Sequence, residues 1–174
     1  MLTADDTQVE LDVRDVRPDD APELAELINA IIARGGTTAF QTPFTPQSLS
    51  DAYLIGPHMI SAVVAVDRGG RLEGFQILGD FGDPMAAGTG DIGTYVRVDG
   101  KQRGVGSALF AATCRNARAA GIDTLNATIR ADNRGGLTFY GKMGFVDHAV
   151  NADVPLAGGT SVDRIYKRFR LNGQ

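Results

Sequence analysis

The run Lys101-Gln102-Arg103-Gly104-Val105-Gly106-Ser107 combines residue types that bind phosphate. It follows a strand-like stretch, Ile92 to Val98, and opens a helix-like one, Val105 to Ala119. Glycines at such a junction let the backbone approach a ligand, and the first amides of a helix have no partner inside it. The helix dipole adds about half a positive charge there, and Lys101, Arg103 and Arg97 are placed to add whole ones. Spacing excludes two familiar phosphate corners. A P-loop needs Lys directly after its last Gly, where this chain has Ser107, and the dinucleotide fingerprint needs a third Gly where Leu109 stands. Taken alone, the Gly-x-Gly is equally a close-packed turn.

A second motif lies downstream: Asn133, then Tyr140 within Phe139-Tyr140-Gly141-Lys142-Met143-Gly144-Phe145. With both motifs in order, the sequence resembles the GNAT superfamily of acyl-CoA-dependent N-acyltransferases, which carries [Q/R]-x-x-G-x-[G/A] after its fourth strand and Asn with Phe-Tyr-x-x-x-Gly-Phe after its fifth. Gly104-Val105-Gly106 matches the first, and Asn133, Tyr140, Gly144 and Phe145 match the second. Lys101 departs from the pattern, putting a point charge where the family has Gln or a planar Arg. The resemblance covers nearly the whole chain. It implies an α/β (α+β) fold of GNAT type: a mixed, mostly antiparallel, splayed sheet of about seven strands flanked by about four helices.

Composition sets bounds around this. A chain of 174 residues suits one domain, 1–174. No apolar run approaches the roughly 18 residues of a membrane span, no leader is visible, and the single Cys114 suits a reducing compartment, so the expected location is cytoplasmic. A net charge of −4 argues against general nucleic-acid binding. The cations are nevertheless uneven: Arg97, Lys101, Arg103, Arg130, Arg134 and Lys142 surround the two motifs, as a ligand with several phosphates would require. His58 and His148 read as structural, Cys114 as a packing thiol, and no cluster has metal-ligand spacing.

The elements that must position these residues follow from periodicity. Val9, Leu11 and Val13 alternate as a first strand. Asp19 or Asp20 caps a helix bearing Leu24, Leu27, Ile28, Ile31 and Ile32, which Gly35-Gly36 ends. Thr45-Pro46 opens a second helix to about Leu54. Met59 to Val66 and Leu72 to Leu78 form a hairpin of strands, and Asp80 to Gly90 is a loop before the strand that Asp91 enters. Gly93 marks a bulge or a close approach in that strand; the family has a bulge there. Thr124 to Ile129, a short helix carrying Tyr140, and two closing strands at Phe145 to Val150 and Val162 to Phe169 complete the chain. Gly135-Gly136, in the first turn of that helix, needs a reason such as close approach to a cofactor.

The resemblance also implies roles. Acetyl-CoA is the expected cofactor, its pyrophosphate held by the amides of Arg103, Gly104, Val105, Gly106 and Ser107 and its pantetheine arm lying along Val96 and Val98. Arg97, Lys101, Lys142 and Asn133 are further expected cofactor contacts. Tyr140 matches the family's general acid, since a phenol with pKa about 10 stays protonated at neutral pH. Asp91 falls where phosphinothricin-type members carry a Glu proposed as base; its alternative is a strand-edge carboxylate, with Asp80 and Asp83 as fallback. In that branch the connection between the first helices covers the acceptor site, so Phe40, Phe44 and Tyr95 are expected acceptor contacts, against a reading of Phe40 and Phe44 as core caps. The implied reaction is direct acetyl transfer to the primary amine of a small molecule, an amino acid or analogue, by a homodimer. Two readings remain beside it: an inactive acyl-CoA-binding sensor or interaction module, and an enzyme whose acceptor is a protein amine.

Overall fold

β3 (Leu72–Gly79) is buried along its whole length although its sequence does not alternate. Such a strand must be covered on both faces, and it is. In the computed structural model, which describes residues 11–81, 86–101 and 103–172, β3 is a central strand of a seven-stranded sheet flanked by helices. Before it in the chain come β1 (Asp12–Asp15), α1 (Ala21–Arg34), α2 (Pro46–Leu49), which continues as a π turn over Ser50–Leu54, and β2 (Met59–Val66). After it come β4 (Thr89–Val96), α3 (Val105–Ala119), β5 (Thr124–Arg130), α4 (Arg134–Lys142), β6 (Val146–Pro155) and β7 (Ser161–Arg170).

One face of β2 and β3 packs α1 and α2: Leu24, Leu27, Ile28 and Leu49 meet Val64, Phe75 and Ile77. On the other face, Val105, Leu109 and Ala112 of α3 meet Val63 and Ala65. A further cluster joins Phe110 and Cys114 of α3 to Leu125, Ala127, Tyr140 and Phe145.

Local signals behave as their chemistry predicts. Gly35 ends α1 at φ 73°, and the Thr45 hydroxyl accepts the Ser48 N–H at 3.1 Å as N-cap of α2. Asp20 differs. Its carboxylate is drawn away from the α1 amides by the Arg14 guanidinium, at 2.8 and 2.9 Å, and by the Arg17 N–H at 2.7 Å. It therefore ties β1 to the turn before α1 instead of capping the helix. Val9, expected in the first strand, lies outside the described residues.

The strands run in the order β1-β2-β3-β4-β5-β7-β6 and pair antiparallel except for β4 with β5. That parallel pair is short. It holds only at Thr89↔Thr124, Gly90↔Leu125 and Asp91↔Asn126, after which β4 stays with β3 and β5 stays with β7. The sheet therefore splays open beyond Asp91. The β3–β4 register passes Gly93 without a shift, so Gly93 is not a bulge. It is a close approach: a Cβ there would lie 2.9 Å from the Tyr95 hydroxyl and 3.2 Å from the Ile77 side chain.

Candidate active site

The splay opens a cleft of about 1080 Å³ between β4 and β5. Alternation along β4 puts Asp91, Gly93 and Tyr95 on one face and Ile92, Thr94 and Val96 on the other. The first face looks toward the segment between α1 and α2, the second toward α3 and α4. Asp91, Tyr95, Val96, Arg97, Val98, Gly104, Gly106, Ser107, Asn133, Tyr140 and Phe40 all line the cleft.

On the α4 side Tyr140 is buried, and its hydroxyl stands 2.8 Å from Thr94 Oγ1. Gln76 Nε2 donates to that same Thr94 oxygen at 2.8 Å. The Thr94 hydrogen is thus free to be given to Tyr140, leaving the phenol's own proton for another acceptor. Burial pushes the Tyr140 pKa up to about 12, with the Thr94 bond pulling the other way. Such a phenol holds its proton until a strong base forms beside it. Thr94 and Gln76 escaped sequence reasoning, since a Thr and a Gln inside strands carry no motif.

Asp91 sits at the point where the sheet parts. Burial raises its pKa above the ordinary carboxylate range, assisted by the charge of Asp80; Asn126 Nδ2, donating at 2.7 Å, the Phe81 N–H and the charge of Arg168 oppose the shift. Asp80 is not among the cleft-lining residues, and Asp83 lies outside the described residues.

Aromatic rings roof this side. Phe40 contacts Tyr53 at 5.0 Å and Tyr95 at 6.0 Å, and Tyr53 contacts Phe81 at 5.2 Å. Phe44 stands behind them, edge-on to Phe40 at 5.1 Å, with its backbone bonded twice to the Asn29 side chain; it does not line the cleft. The connection after α1 is strapped across one end. Asn133 Nδ2 donates to the Thr37 carbonyl at 2.8 Å, and the Ala157 N–H donates to Gln41 Oε1 at 2.6 Å.

The glycine corner opens on the same cleft. Gly104 precedes α3 in the left-handed region, φ 78°. The helical bond from the Ala108 N–H ends at the Gly104 carbonyl, so the amides of Val105, Gly106 and Ser107 belong to the unpaired first turn. A Cβ on Gly106 would come within 2.7 Å of the Phe139 ring. The Val105 side chain is core, and Lys101 and Arg103 stand exposed beside the corner without lining the cleft. Val96 and Val98, 36% and 41% exposed, offer apolar surface along the β4 edge that β5 has left. An unpaired strand edge, apolar side chains and free helix amides fit a long thioester bearing a pyrophosphate.

Other expected contacts are engaged within the protein. Arg97 donates to the Leu72 carbonyl and to Glu23, each at 2.8 Å, and Arg130 forks onto Asp132. Asn133 caps α4 by accepting the Gly136 N–H at 2.9 Å. A Cβ on Gly136 would lie 2.6 Å from Asn133 Nδ2, so this cap explains that glycine. Arg134 and Lys142 are exposed on α4.

The model of the acetyltransferase (GNAT) family matches residues 26–145. The chain belongs to this family. It is 29% identical over 170 residues to an L-methionine sulfoximine/L-methionine sulfone acetyltransferase of Pseudomonas paraeruginosa (strain DSM 24068 / PA7), covering 92% of this chain and 94% of that protein. Its fold is shared with an N-acetyltransferase from Staphylococcus aureus Mu50, at TM-score 0.80 and 20% identity over 94% of this chain and 99% of the other. It is also shared with a GNAT superfamily phosphinothricin acetyltransferase from Sinorhizobium meliloti in complex with acetyl-CoA, at TM-score 0.78 and 18% identity over 92% and 88%. Among the described residues no helix is long and apolar enough to cross a membrane.

Proposed function

We propose that this GNAT protein transfers an acetyl group from acetyl-CoA to the primary amine of a small molecule of amino-acid type, by direct attack and without an acyl-enzyme. The observation that carries the proposal is the placing of Tyr140 and Asp91 in one cleft, each with a pKa that burial has raised.

The donor supplies a thioester carbonyl and a thiolate leaving group. Its phosphates are held by the amides of Val105 to Ser107, with Lys101 and Arg103 adding charge at the rim, and its arm runs past Val96 and Val98. Asp91 holds the acceptor amine and takes its proton, a task for which a raised pKa suits it better than an ordinary carboxylate. Tyr140 gives its proton to the departing sulfur, and Thr94 orients it. The strap from Thr37 to Gln41 and the aromatic roof favour a small acceptor over a peptide chain. The relative acting on methionine sulfoximine and methionine sulfone supports the same class.

The test is release of free thiol from acetyl-CoA with L-methionine sulfone as acceptor. Amine-dependent release that falls by about 1000-fold in Tyr140→Phe, with acetyl-CoA affinity retained, is the expected result. Acetyl-CoA binding without release for any amine would identify a sensor instead, and absence of binding by the folded protein would remove the donor.

A further inference from the structure

The acceptor side of the cleft contains a row of three polar residues that crosses three strands. Asp91 pairs with Asn126 across β4 and β5, and Asn126 pairs with Arg168 across β5 and β7. In-register neighbours on adjacent strands point to the same face, and all three residues line the cleft. Two strand spacings put the Cα atoms of Asp91 and Arg168 about 10 Å apart.

The hydrogen bonds in this row are incomplete. A carboxylate only accepts, so Asn126 must turn Nδ2 toward Asp91, and does so at 2.7 Å. Its Oδ1 is then left without a donor, in a side chain that is only 3% exposed. Arg168 Nε is likewise enclosed and without an acceptor. Neighbouring cations are matched differently: Lys167 pairs with Asp147, Arg130 with Asp132 and Arg97 with Glu23. Among the described residues no carboxylate stands within ion-pair distance of Arg168. Arg164 also has an orphan nitrogen, Nη1, but it is not among the residues lining the cleft. Buried donors and acceptors without partners are rare in proteins, and when they face a cavity a ligand can complete them.

We infer that Arg168 is the specificity residue for the acceptor's anionic group: it holds the carboxylate of an α-amino acid whose amine is received by Asp91 and Asn126 Oδ1. The inference rests on the acetyltransferase reading above and deepens it. An α-amino acid carries ammonium donors and a carboxylate on one carbon, which is the complement of an orphan acceptor beside an orphan donor. Its side chain then falls under Phe40, Tyr53 and Phe81. A peptide N-terminus, which has an amide in place of the carboxylate, leaves Arg168 unsatisfied and is rejected.

The experiment compares kcat/KM for L-methionine sulfone and for its carboxamide in the native enzyme, Arg168→Gln and Arg168→Lys. The native enzyme is expected to prefer the carboxylate by about 100-fold, Arg168→Gln to bring the ratio near unity, and Arg168→Lys to fall between. A ratio unchanged in Arg168→Gln, or a native preference for the carboxamide, overturns the assignment while leaving the acetyltransferase reading intact. If neither compound is turned over, calorimetry with N-acetyl-L-methionine sulfone, which keeps the carboxylate and lacks the free amine, decides separately. Saturable binding weakened about 30-fold by Arg168→Gln supports the subsite; equal binding, or none, overturns it. Acetyl-CoA titration of each variant checks that the fold and the donor site persist.

Discussion

The two faces of β4 are built differently. On the α4 face, Gln76 Nε2, Thr94 and Tyr140 are linked by hydrogen bonds before any ligand arrives, and Gln76 Oε1, which has no partner, belongs to a residue that is not among those lining the cleft. On the opposite face, Asp91 and Asn126 are bonded to each other, but Asn126 Oδ1 and Arg168 Nε have no partner. The difference follows from what each face meets in the proposed reaction. A departing thiolate is the same whichever amine attacks, so its proton donor can be oriented in advance. An acceptor varies between family members, and the polar atoms that recognise it must stay open until it binds.

The largest test of this contrast is Tyr140→Phe, expected to lower kcat about 1000-fold with little change in KM in thiol-release kinetics. An equal loss through KM would mean that Tyr140 packs the donor and is not its acid. Asp91→Asn is expected to cost about 100-fold at neutral pH and to change the pH profile. In its proposed role Asp91 works unprotonated, so kcat/KM should rise with pH as its proton leaves, with that limb above the ordinary carboxylate range because its pKa is raised. Tyr140, at about 12, stays protonated through pH 10 and produces no alkaline fall. Asp91→Asn should abolish the acid limb; a limb that survives belongs to another group.

Thr94→Val is expected to lower kcat about tenfold, because Tyr140 loses its orienting partner and keeps its proton. The readout that separates positioning from packing is the double variant with Tyr140→Phe, which should be no worse than Tyr140→Phe alone. Additive losses would break the chain proposed for that face.

The smallest effect on activity comes from a satisfied pair outside the cleft. Asp20→Asn removes the fork with Arg14 and is expected to cost about 2 kcal/mol in denaturant melts at pH 7, leaving turnover unchanged. The Arg14 hydrogen bond first, and the Arg17 amide with it, lower the Asp20 pKa in the folded protein. This stabilisation is therefore present above the ordinary carboxylate pKa and is lost as pH falls through the lowered one. In acid the native protein and Asp20→Asn should converge.

Much of the fold was legible because its signals are local. Gly35 and Gly104 stand at turns of positive φ, Thr45 caps α2, and apolar spacing marked α1 and α3. The candidate site was legible where a motif brought residues to the cleft, at Gly104, Gly106, Ser107 and Tyr140. Arg97 is expected at the site from its place beside the motif and Phe44 from the branch resemblance; Arg97 lines the cleft and Phe44 does not. The structure gives the Arg97 guanidinium to Glu23 and Leu72 and sets Phe44 behind Phe40, since a partner 74 residues away cannot be read from spacing.

The sequence by itself determined the element order, the Gly35 stop of α1, the Thr45 start of α2, the glycine corner and the phenol placed after it, because each depends on residues a few positions apart. Only the tertiary structure decided that Thr94 stands beside Tyr140, that Asp91 falls where β4 and β5 part, and that Asn126 and Arg168 complete its row. Those relations depend on strand register and splay, which bring together groups 35 to 46 residues apart in the chain. Register is set by the packing of α1 and α3 on the two faces of the sheet, a property of the whole core and not of any segment.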